Sequence, residues 1–303
     1  MLVYLDSANL IDICQDTAQI GISDLRQRLT AGSHQIVLSF DTLIEVAAPL
    51  RNGLQLEVRR ELNRLDDLPH IFINEARIRD MEMREALTAF EQGREYEFAA
   101  VCTFASRLDR AIDVHGLPQY VNQPVGAQFM RVDTDMLVNF KIWDVIIYEF
   151  RQDPETFNVY RRREQEWIAT MKANRMLENP PALPDHFVTM MSNNLNMHRL
   201  QAPTAGVEPF ARWIYDSPSR CPGIRLAYET YHCFRKNLHA RPRASDLPDL
   251  QRITAVPYVD FFVTDGAMLN YCRQAVRSLA LQYQERLGNF ATTISRLGTP
   301  PAH

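Results

Sequence analysis

Glycine is scarce in this chain, and the motifs that depend on glycine are missing. The 303 residues include 11 glycines, which form neither G-x-G-x-x-G nor a P-loop. Dinucleotide-binding folds need these glycines because their backbone must approach the phosphates closely. We therefore do not expect a nucleotide-binding Rossmann protein.

Cysteine and histidine lack the spacings of a zinc site or a disulfide framework. The five cysteines are scattered, odd in number and without C-x-x-C, which predicts reduced and mostly buried thiols. The eight histidines form no H-x-x-x-H or H-E-x-x-H, the patterns of zinc hydrolases. Neither structural nor catalytic zinc is expected.

Long apolar runs, a basic leader and excess positive charge are also absent. No apolar stretch approaches the roughly 18 residues of a membrane-spanning helix. The first residues lack a basic region before their short apolar run, which argues against a signal peptide. We expect a cytoplasmic protein with no membrane partner. The formal net charge of −4 excludes a globally basic nucleic-acid binder, although a local basic groove stays open.

Short apolar runs alternate with helical segments at both ends of the chain. Runs of this kind predict buried strands at 2–5, 35–39, 70–73 and 260–265. Helices are predicted between them, including one at 246–255 and a last one at 267–286. The alternation predicts an α/β fold with a mostly parallel sheet.

A long stretch with helical periodicity separates these α/β segments. Residues 75–240 show no clear strand alternation and predict an all-helical insertion. Its large apolar residues suggest a separate core or an interface, from which we expect a homodimer or a protein partner; they are Phe129, Met130, Phe140, Trp143, Phe150, Trp167, Met190 and Met191. The prediction is thus a discontinuous α/β domain (1–74 and 241–290), the insertion (75–240) and a flexible tail (291–303).

Acidic residues stand at the ends of the first and last predicted strands. Asp6 ends the first strand and Asp265 the last. Functional groups of open parallel sheets collect outside the carboxyl ends of the strands, so the two acids face one crevice if the strands are neighbours. Glu45 follows the second strand and Asp249 precedes the last, which gives a possible cluster of four carboxylates.

Such a cluster favours a bound cation, because close carboxylates repel one another. Mg²⁺ or Mn²⁺ suits carboxylate oxygens and can activate water and stabilise the leaving oxygen of a phosphodiester. The pattern therefore predicts a metal-dependent nuclease. Structural alternatives stay open: Asp6 and Asp265 could cap helices, Glu45 could be solvated, and Asp249 could favour a helix dipole.

The segments around these acids resemble the PIN-domain nuclease family. The resemblance is carried by residues 3–9 (VYLDSAN), 39–45 (SFDTLIE), 246–252 (DLPDLQR) and 257–265 (PYVDFFVTD). It covers roughly 1–73 and 244–290. It implies a three-layer α/β/α fold with a small parallel sheet, and metal-dependent hydrolysis of nucleic-acid phosphodiesters, usually in RNA.

The resemblance also implies roles for particular residues. The Mg²⁺ or Mn²⁺ site would consist of Asp6, Glu45, Asp249 and Asp265, with Asp246 as the alternative third acid. Thr264 would orient a carboxylate or water, and Asn9 would contact substrate. Two departures are that Thr264 and Asp265 are adjacent, where many relatives have a residue between them, and that small PIN ribonucleases lack such a helical insertion.

Clustered cations near the last acidic motif predict contacts to a phosphate backbone, and the family resemblance implies that single-stranded RNA is the favoured substrate. These cations are Arg235, Lys236, Arg241 and Arg243. The nearby Tyr228, Tyr231 and Phe234 could stack on bases, although a core position is the alternative. The run Arg161, Arg162 and Arg163, with Lys172, is better interpreted as a solvated helix face.

The rival to a nuclease is a catalytically inactive PIN-like scaffold that binds a protein partner through the helical insertion. Convergence of the four carboxylates within metal-bridging distance is the feature that discriminates the two. A phosphatase of the haloacid dehalogenase type is disfavoured, because its second aspartate would stand at Ala8.

Overall fold

A computed structural model gives the fold. It describes residues 1–18, 20–98, 104, 141–143, 146, 165–166, 169, 183–237, 243 and 246–298. Within these ranges five strands form one parallel sheet: β1 (Leu2–Leu5), β2 (Gln35–Ser39), β3 (His70–Ile73), β4 (Phe261–Val263) and β5 (Leu287–Gly288).

Helices connect and cover these strands. They are α1 (Ser7–Cys14), α2 (Ile22–Ala31), α3 (Phe40–Val46), α4 (Gln55–Asp66), α5 (Glu75–Glu91), α6 (Leu183–Met197), α7 (Val207–Asp216), α8 (Pro222–Lys236), α9 (Asp246–Arg252), α10 (Gly266–Ser278) and α11 (Phe290–Leu297). Among the described residues, four 3-10 segments accompany them, at Ala48–Asn52, Pro218–Arg220, Ile253–Tyr258 and Gln284–Arg286. No described helix has the length and apolar character needed to cross a membrane.

The strand order β3-β2-β1-β4-β5 makes β1 the point where the chain changes direction across the sheet. The chain first adds β2 and β3 on one side of β1, and later adds β4 and β5 on the other. Tyr4 is accordingly paired with both Val37 and Phe262. A strand bonded on both edges and covered on both faces must be apolar throughout, which explains the sequence of β1.

Alternate residues of the strands supply two cores, one on each face of the sheet. Val3 and Leu5 face a core that includes residues of α1, α2, α3, α4 and α11. Tyr4 and Phe262 face a second core with residues of α5, α8, α9, α10 and the Ile253–Tyr258 segment. Helices therefore cover both faces, as in the predicted three-layer α/β/α arrangement.

The hydrophobic core is continuous across the boundary predicted at residue 75. Ile78 of α5 and Leu226 of α8 lie in the core against the sheet. Met83 and Ile224, on the same two helices, belong to a third core shared with α6 and α7. The described part of the predicted insertion thus contributes two helices to the layer on the sheet.

The apolar residues that suggested a separate core have mixed placements. Met191 lies in the third core, but Trp143 packs into the core beneath the other face of the sheet. Phe129, Met130, Phe140, Phe150 and Trp167 lie outside the described residues.

The C-terminal end differs from the sequence prediction. The helix predicted to run to residue 286 ends at Ser278, and Ala280 takes a left-handed φ of 52°. The two-residue strand β5 follows, and α11 then forms where a flexible tail was predicted from residue 291. Ile294 and Leu297 of α11 are buried in the core, so apolar burial orders residues 291–297.

Candidate functional site

The carboxyl ends of β1 and β4 form the centre of the site. The two strands are neighbours, and the Asp6 amide continues their pairing by donating to the carbonyl of Val263 at 3.1 Å. The sequence left open whether the first and last acidic strands are neighbours, and the structure shows that they are. Asp6 and Asp265 therefore begin their helices side by side at the point where the strand order reverses, the usual place for a ligand in an open α/β sheet.

Asp6 and Asp265 both cap helices. In Asp6, which is 5% exposed, Oδ1 accepts from the Asn9 amide at 3.0 Å and from the Asn9 side chain. In Asp265, Oδ1 accepts from the Met268 amide at 2.7 Å. The structural alternative for these acids is thus realised, but it uses one oxygen of each. The Oδ2 atoms accept no hydrogen bond from the described part of the chain and remain available to a ligand.

Glu45 and Asp249 are joined by a buried arginine. Nη2 of Arg252 lies 2.6 Å from Oε1 of Glu45, and its Nη1 donates to Oδ1 of Asp249 at 2.9 Å. Ser7, directly after Asp6, donates its hydroxyl to the other oxygen of Glu45. Both oxygens of Glu45 therefore have protein partners, which is not the arrangement expected of a metal ligand.

The four predicted acids lie near enough to one another to influence one another's charge, but they do not meet at metal-bridging distance in the described structure. Burial raises the pKa of Asp249 to about 7, with further increases from Glu45, Asp265 and Asp6 that Arg252 opposes. Burial also raises the pKa of Asp6; there the Asn9 bonds and Arg252 oppose the increase, and Asp265 adds to it. Carboxylates that resist ionisation in this way would be stabilised by an added positive charge.

Free carboxylate oxygens are the type of ligand that a hard divalent cation takes. No group of three or more His, Cys, Asp or Glu side chains within the described ranges is already arranged as a metal site. Mg²⁺, however, is usually held by one or two carboxylates and keeps several waters. The Oδ2 atoms of Asp6 and Asp265, at adjacent strand ends, and that of Asp249 accept no hydrogen bond from the described part of the chain.

A second acidic group, not identified from the sequence, lies behind β2 and β3. Glu75 follows β3 and is buried; its Oε1 accepts from the Tyr4 hydroxyl at 2.6 Å. Burial raises its pKa to about 7, and nearby Asp41 adds to the increase while Arg252 opposes it. Glu75 obeys the same strand-end rule that selected Asp6, so the signal was present in the sequence.

Arg252 was quoted only as part of a motif, yet it is the cation common to both acidic groups. It is 1% exposed. Its charge opposes the pKa increases of Asp6, Asp249 and Glu75. Its position three residues after Asp249, one helical turn away, is the signal that would have paired the two.

The remaining predicted residues near the acids have supporting contacts. Asn9 holds Asp6, and Thr264 is buried between β4 and Asp265. Asp246 accepts from the Arg243 amide at 2.6 Å through Oδ2, whereas Asp249 is the acid coupled to the other three.

The predicted cationic residues are not brought into the acidic cluster. Arg235 and Lys236 occupy the last turn of α8 and form no ion pair with any described residue. Burial is the main cause that lowers the pKa of His186 and of His232. The charge of Arg235 lowers the pKa of His186 further, and the charge of Lys236 does the same for His232. Exposed Arg243 precedes α9, and Arg241 lies outside the described residues.

The end of α8 nevertheless approaches the helix that begins at Asp265. Asn237, directly after α8, donates its side-chain amide to the Tyr271 hydroxyl at 2.7 Å. Tyr271 lies six residues beyond Asp265, or roughly 9 Å along α10 at the rise of an α-helix. Arg235 and Lys236 are thus on the same side of the sheet as α10 but outside the acidic group.

Comparisons with known proteins found no matching family model, no matching curated protein and no matching solved structure.

Proposed function

We propose that this chain is a PIN-like, metal-dependent nuclease that hydrolyses phosphodiester bonds, in RNA rather than DNA, at the carboxyl ends of β1 and β4. The observation that supports the proposal is that Asp6 and Asp265 stand at the carboxyl ends of two neighbouring strands, with Glu45 and Asp249 close enough to contribute to the local negative charge. The parallel sheet with helices on both faces supports it, since this is the architecture that the family resemblance implies.

The chain's own residues would hold and orient the reacting groups. Bound Mg²⁺ or Mn²⁺ would supply an activated water and neutralise charge on the phosphate. Asp6 and Asp265 would offer their Oδ2 atoms to the cation, while the hydrogen bonds to Oδ1 fix both carboxylates. Such outer contacts hold metal ligands in place and tune them. Thr264 lies between β4 and Asp265, where its hydroxyl could orient water or a carboxylate.

The preference for RNA rests on the family resemblance, and single-stranded RNA is therefore the first substrate to test. Arg235 and Lys236, which have no described acidic partner, would contact the phosphate backbone beyond the cleavage point. A homodimer, or a protein partner bound through residues 75–240, belongs to the same proposal.

A cleavage assay tests the proposal. Labelled single-stranded RNA and DNA are incubated with wild type, Asp6→Asn or Asp265→Asn in Mg²⁺, Mn²⁺ or EDTA. We expect metal-dependent cleavage of RNA that each variant reduces by about 100-fold or more, since loss of a ligand removes transition-state stabilisation. Asp260→Asn is the matched control, because Asp260 lies just before β4 and accepts from the Leu2 amide at 2.7 Å, outside the acidic group.

A catalytically inactive scaffold is the second candidate. Arg252 favours it, because this buried cation already offsets part of the carboxylate charge without a metal. The scaffold predicts that folded wild type cleaves neither RNA nor DNA with any of these cations, and that Asp265→Asn does not change binding of its protein partner. Metal-dependent cleavage lost in Asp6→Asn and Asp265→Asn, and kept in Asp260→Asn, would exclude it.

A further inference from the structure

We propose that the edge of the sheet at β5 binds the phosphate backbone of single-stranded RNA, apart from the acidic group at β1 and β4. The choice of RNA as the anion rests on the proposed function. The surface itself is defined by four arginines, here called the β5 arginine surface. They are Arg273 and Arg277 of α10, Arg286 directly before β5, and Arg296 of α11.

Hydrogen bonds bring arginines from separate elements together at the start of β5. Arg273 donates through Nη2 to the carbonyl of Leu287 at 3.3 Å, and Arg296 donates through Nη1 to the carbonyl of Glu285 at 3.3 Å. Arg286 lies between those two carbonyls in the chain. Because β5 pairs with β4 alone, the three guanidinium groups gather at an open edge of the sheet.

The fourth arginine extends the surface along α10. Arg277 follows Arg273 by one helical turn, and its Nε donates to the Arg273 carbonyl at 3.2 Å. Arg277 and Arg296 are both exposed. The β5 arginine surface therefore presents side chains to solvent from two helices and from the segment between them.

The charge of these arginines is not neutralised within the described part of the chain. None of the four forms an ion pair there, since their hydrogen bonds go to main-chain carbonyls. Residues 266–298 contain four arginines against one acid, Glu285, and so carry +3 in a chain whose formal net charge is −4. A carbonyl holds an arginine in place without cancelling its charge, which leaves other N–H groups for phosphate oxygens.

Aromatic rings beside the arginines favour a nucleic acid over an acidic peptide. The guanidinium of Arg286 lies 4.9 Å from the ring centroid of Tyr283, and that of Arg296 lies 5.6 Å from the ring centroid of Phe261. Both rings are partly buried. Surfaces that bind single strands combine cations for the backbone with aromatic side chains and arginines that interact with bases, whereas an acidic peptide needs only the cations.

Helix α10 connects this surface to the proposed site. Asp265 caps the start of α10, and Arg273 follows eight residues later, roughly 12 Å along the helix. Arg277 lies one turn further. A strand that is cleaved beside Asp265 could therefore continue along α10 to β5, where the arginines would hold it on one side of the cleavage point.

Binding in EDTA tests the inference without cleavage. Fluorescence anisotropy of labelled single-stranded RNA is measured over a range of salt concentrations for wild type, Arg277→Gln/Arg296→Gln and Arg84→Gln/Arg212→Gln. Each phosphate contact contributes about 0.7 to the slope of log affinity against log salt concentration. We expect the first double variant to bind more weakly, with a slope shallower by about 1.4. The control loses the same charge from two exposed arginines that are already ion-paired, and should keep the affinity and slope of wild type.

The result that would overturn the inference is equal RNA binding by the two double variants. Wild type that does not bind RNA, or whose RNA is displaced more readily by polyglutamate than by unlabelled RNA, would also overturn it. If circular dichroism shows that the first double variant is unfolded, Arg296→Gln alone decides, with an expected change in slope of about 0.7.

Cleavage in Mn²⁺ is measured separately, so the proposed function can fail or stand by itself. Wild type that cleaves RNA with no contribution from Arg277 and Arg296 would refute the inference and leave the nuclease standing. RNA binding that depends on these two arginines, without cleavage under any condition, would support the inference and refute the nuclease.

Discussion

Glu82 should make the stability of this protein depend on pH. Glu82 is 0% exposed and caps the N-terminus of α8. Its carboxylate accepts hydrogen bonds from the amides of Gly223 at 2.7 Å and Ile224 at 2.9 Å. The Tyr258 hydroxyl donates to it as well. Burial nevertheless raises its pKa from 4.5 to about 7, against the effect of these donors and of Arg79.

The sign of the effect follows from the direction of the shift. The folded state binds the proton of the Glu82 carboxyl more tightly than the unfolded state does. The contribution of this proton to the free energy of unfolding is therefore complete below pH 4.5 and is lost as the pH rises through about 7. From about pH 5 to about pH 8, linkage removes about 2 kcal/mol from the free energy of unfolding. Glu82→Gln has no proton to lose and resembles the neutral acid in shape.

The assay is urea unfolding of wild type and Glu82→Gln across this pH range. The difference between their free energies of unfolding should move by about 2 kcal/mol in favour of the variant as pH rises. Titrating groups common to both proteins cancel in that difference. Glu208→Gln, an exposed helix residue paired with Arg212, should show no such trend. A difference between wild type and Glu82→Gln that stays constant from pH 5 to pH 8 would refute the reasoning.

Three further changes test the packing, each by urea unfolding. Gly223→Ala should lower the free energy of unfolding by about 2 kcal/mol or more, since the added Cβ would lie 2.6 Å from a backbone oxygen. The control Gly21→Ala has open space around its Cβ and should lower it by under about 1 kcal/mol. Equal losses in the two variants would contradict this prediction. Tyr4→Phe removes the donor 2.6 Å from Glu75 and should cost about 1–3 kcal/mol; a neutral effect would mean that the bond is not made. Ile294→Ala should cost about 2–3 kcal/mol, and no loss would show that α11 is not part of the core.

The central strands and the acidic pair could be predicted from the sequence because both depend on local pattern. β1 is a buried strand flanked on both edges, and such strands read as short apolar runs. Asp6 follows such a run directly and Asp265 follows one after Thr264, and the parallel sheet places successive carboxyl ends at one edge. Strand β5 escaped prediction because two residues, Leu287 and Gly288, show no periodicity.

Other features depend on contacts between distant segments and leave no local signal. Ala280 follows the end of α10 with a left-handed φ of 52°. Glycine usually occupies this position after a helix, so an alanine there gives no signal that the helix ends. Glu82 is bonded to amides about 140 residues away in the chain, and nothing in its neighbourhood distinguishes it from a solvated helix residue. Arg252 likewise becomes a buried ion pair only after α3 and α9 meet.

The most direct test of the account is whether the carboxyl ends of β1 and β4 bind a divalent cation. Thermal unfolding is measured with Mn²⁺ or EDTA for wild type, Asp265→Asn and Asp260→Asn. A ligand that binds only the folded state raises its stability, so Mn²⁺ should raise the unfolding midpoint of wild type and Asp260→Asn and leave that of Asp265→Asn unchanged. An equal Mn²⁺ effect on all three proteins, or none on wild type, would contradict the account.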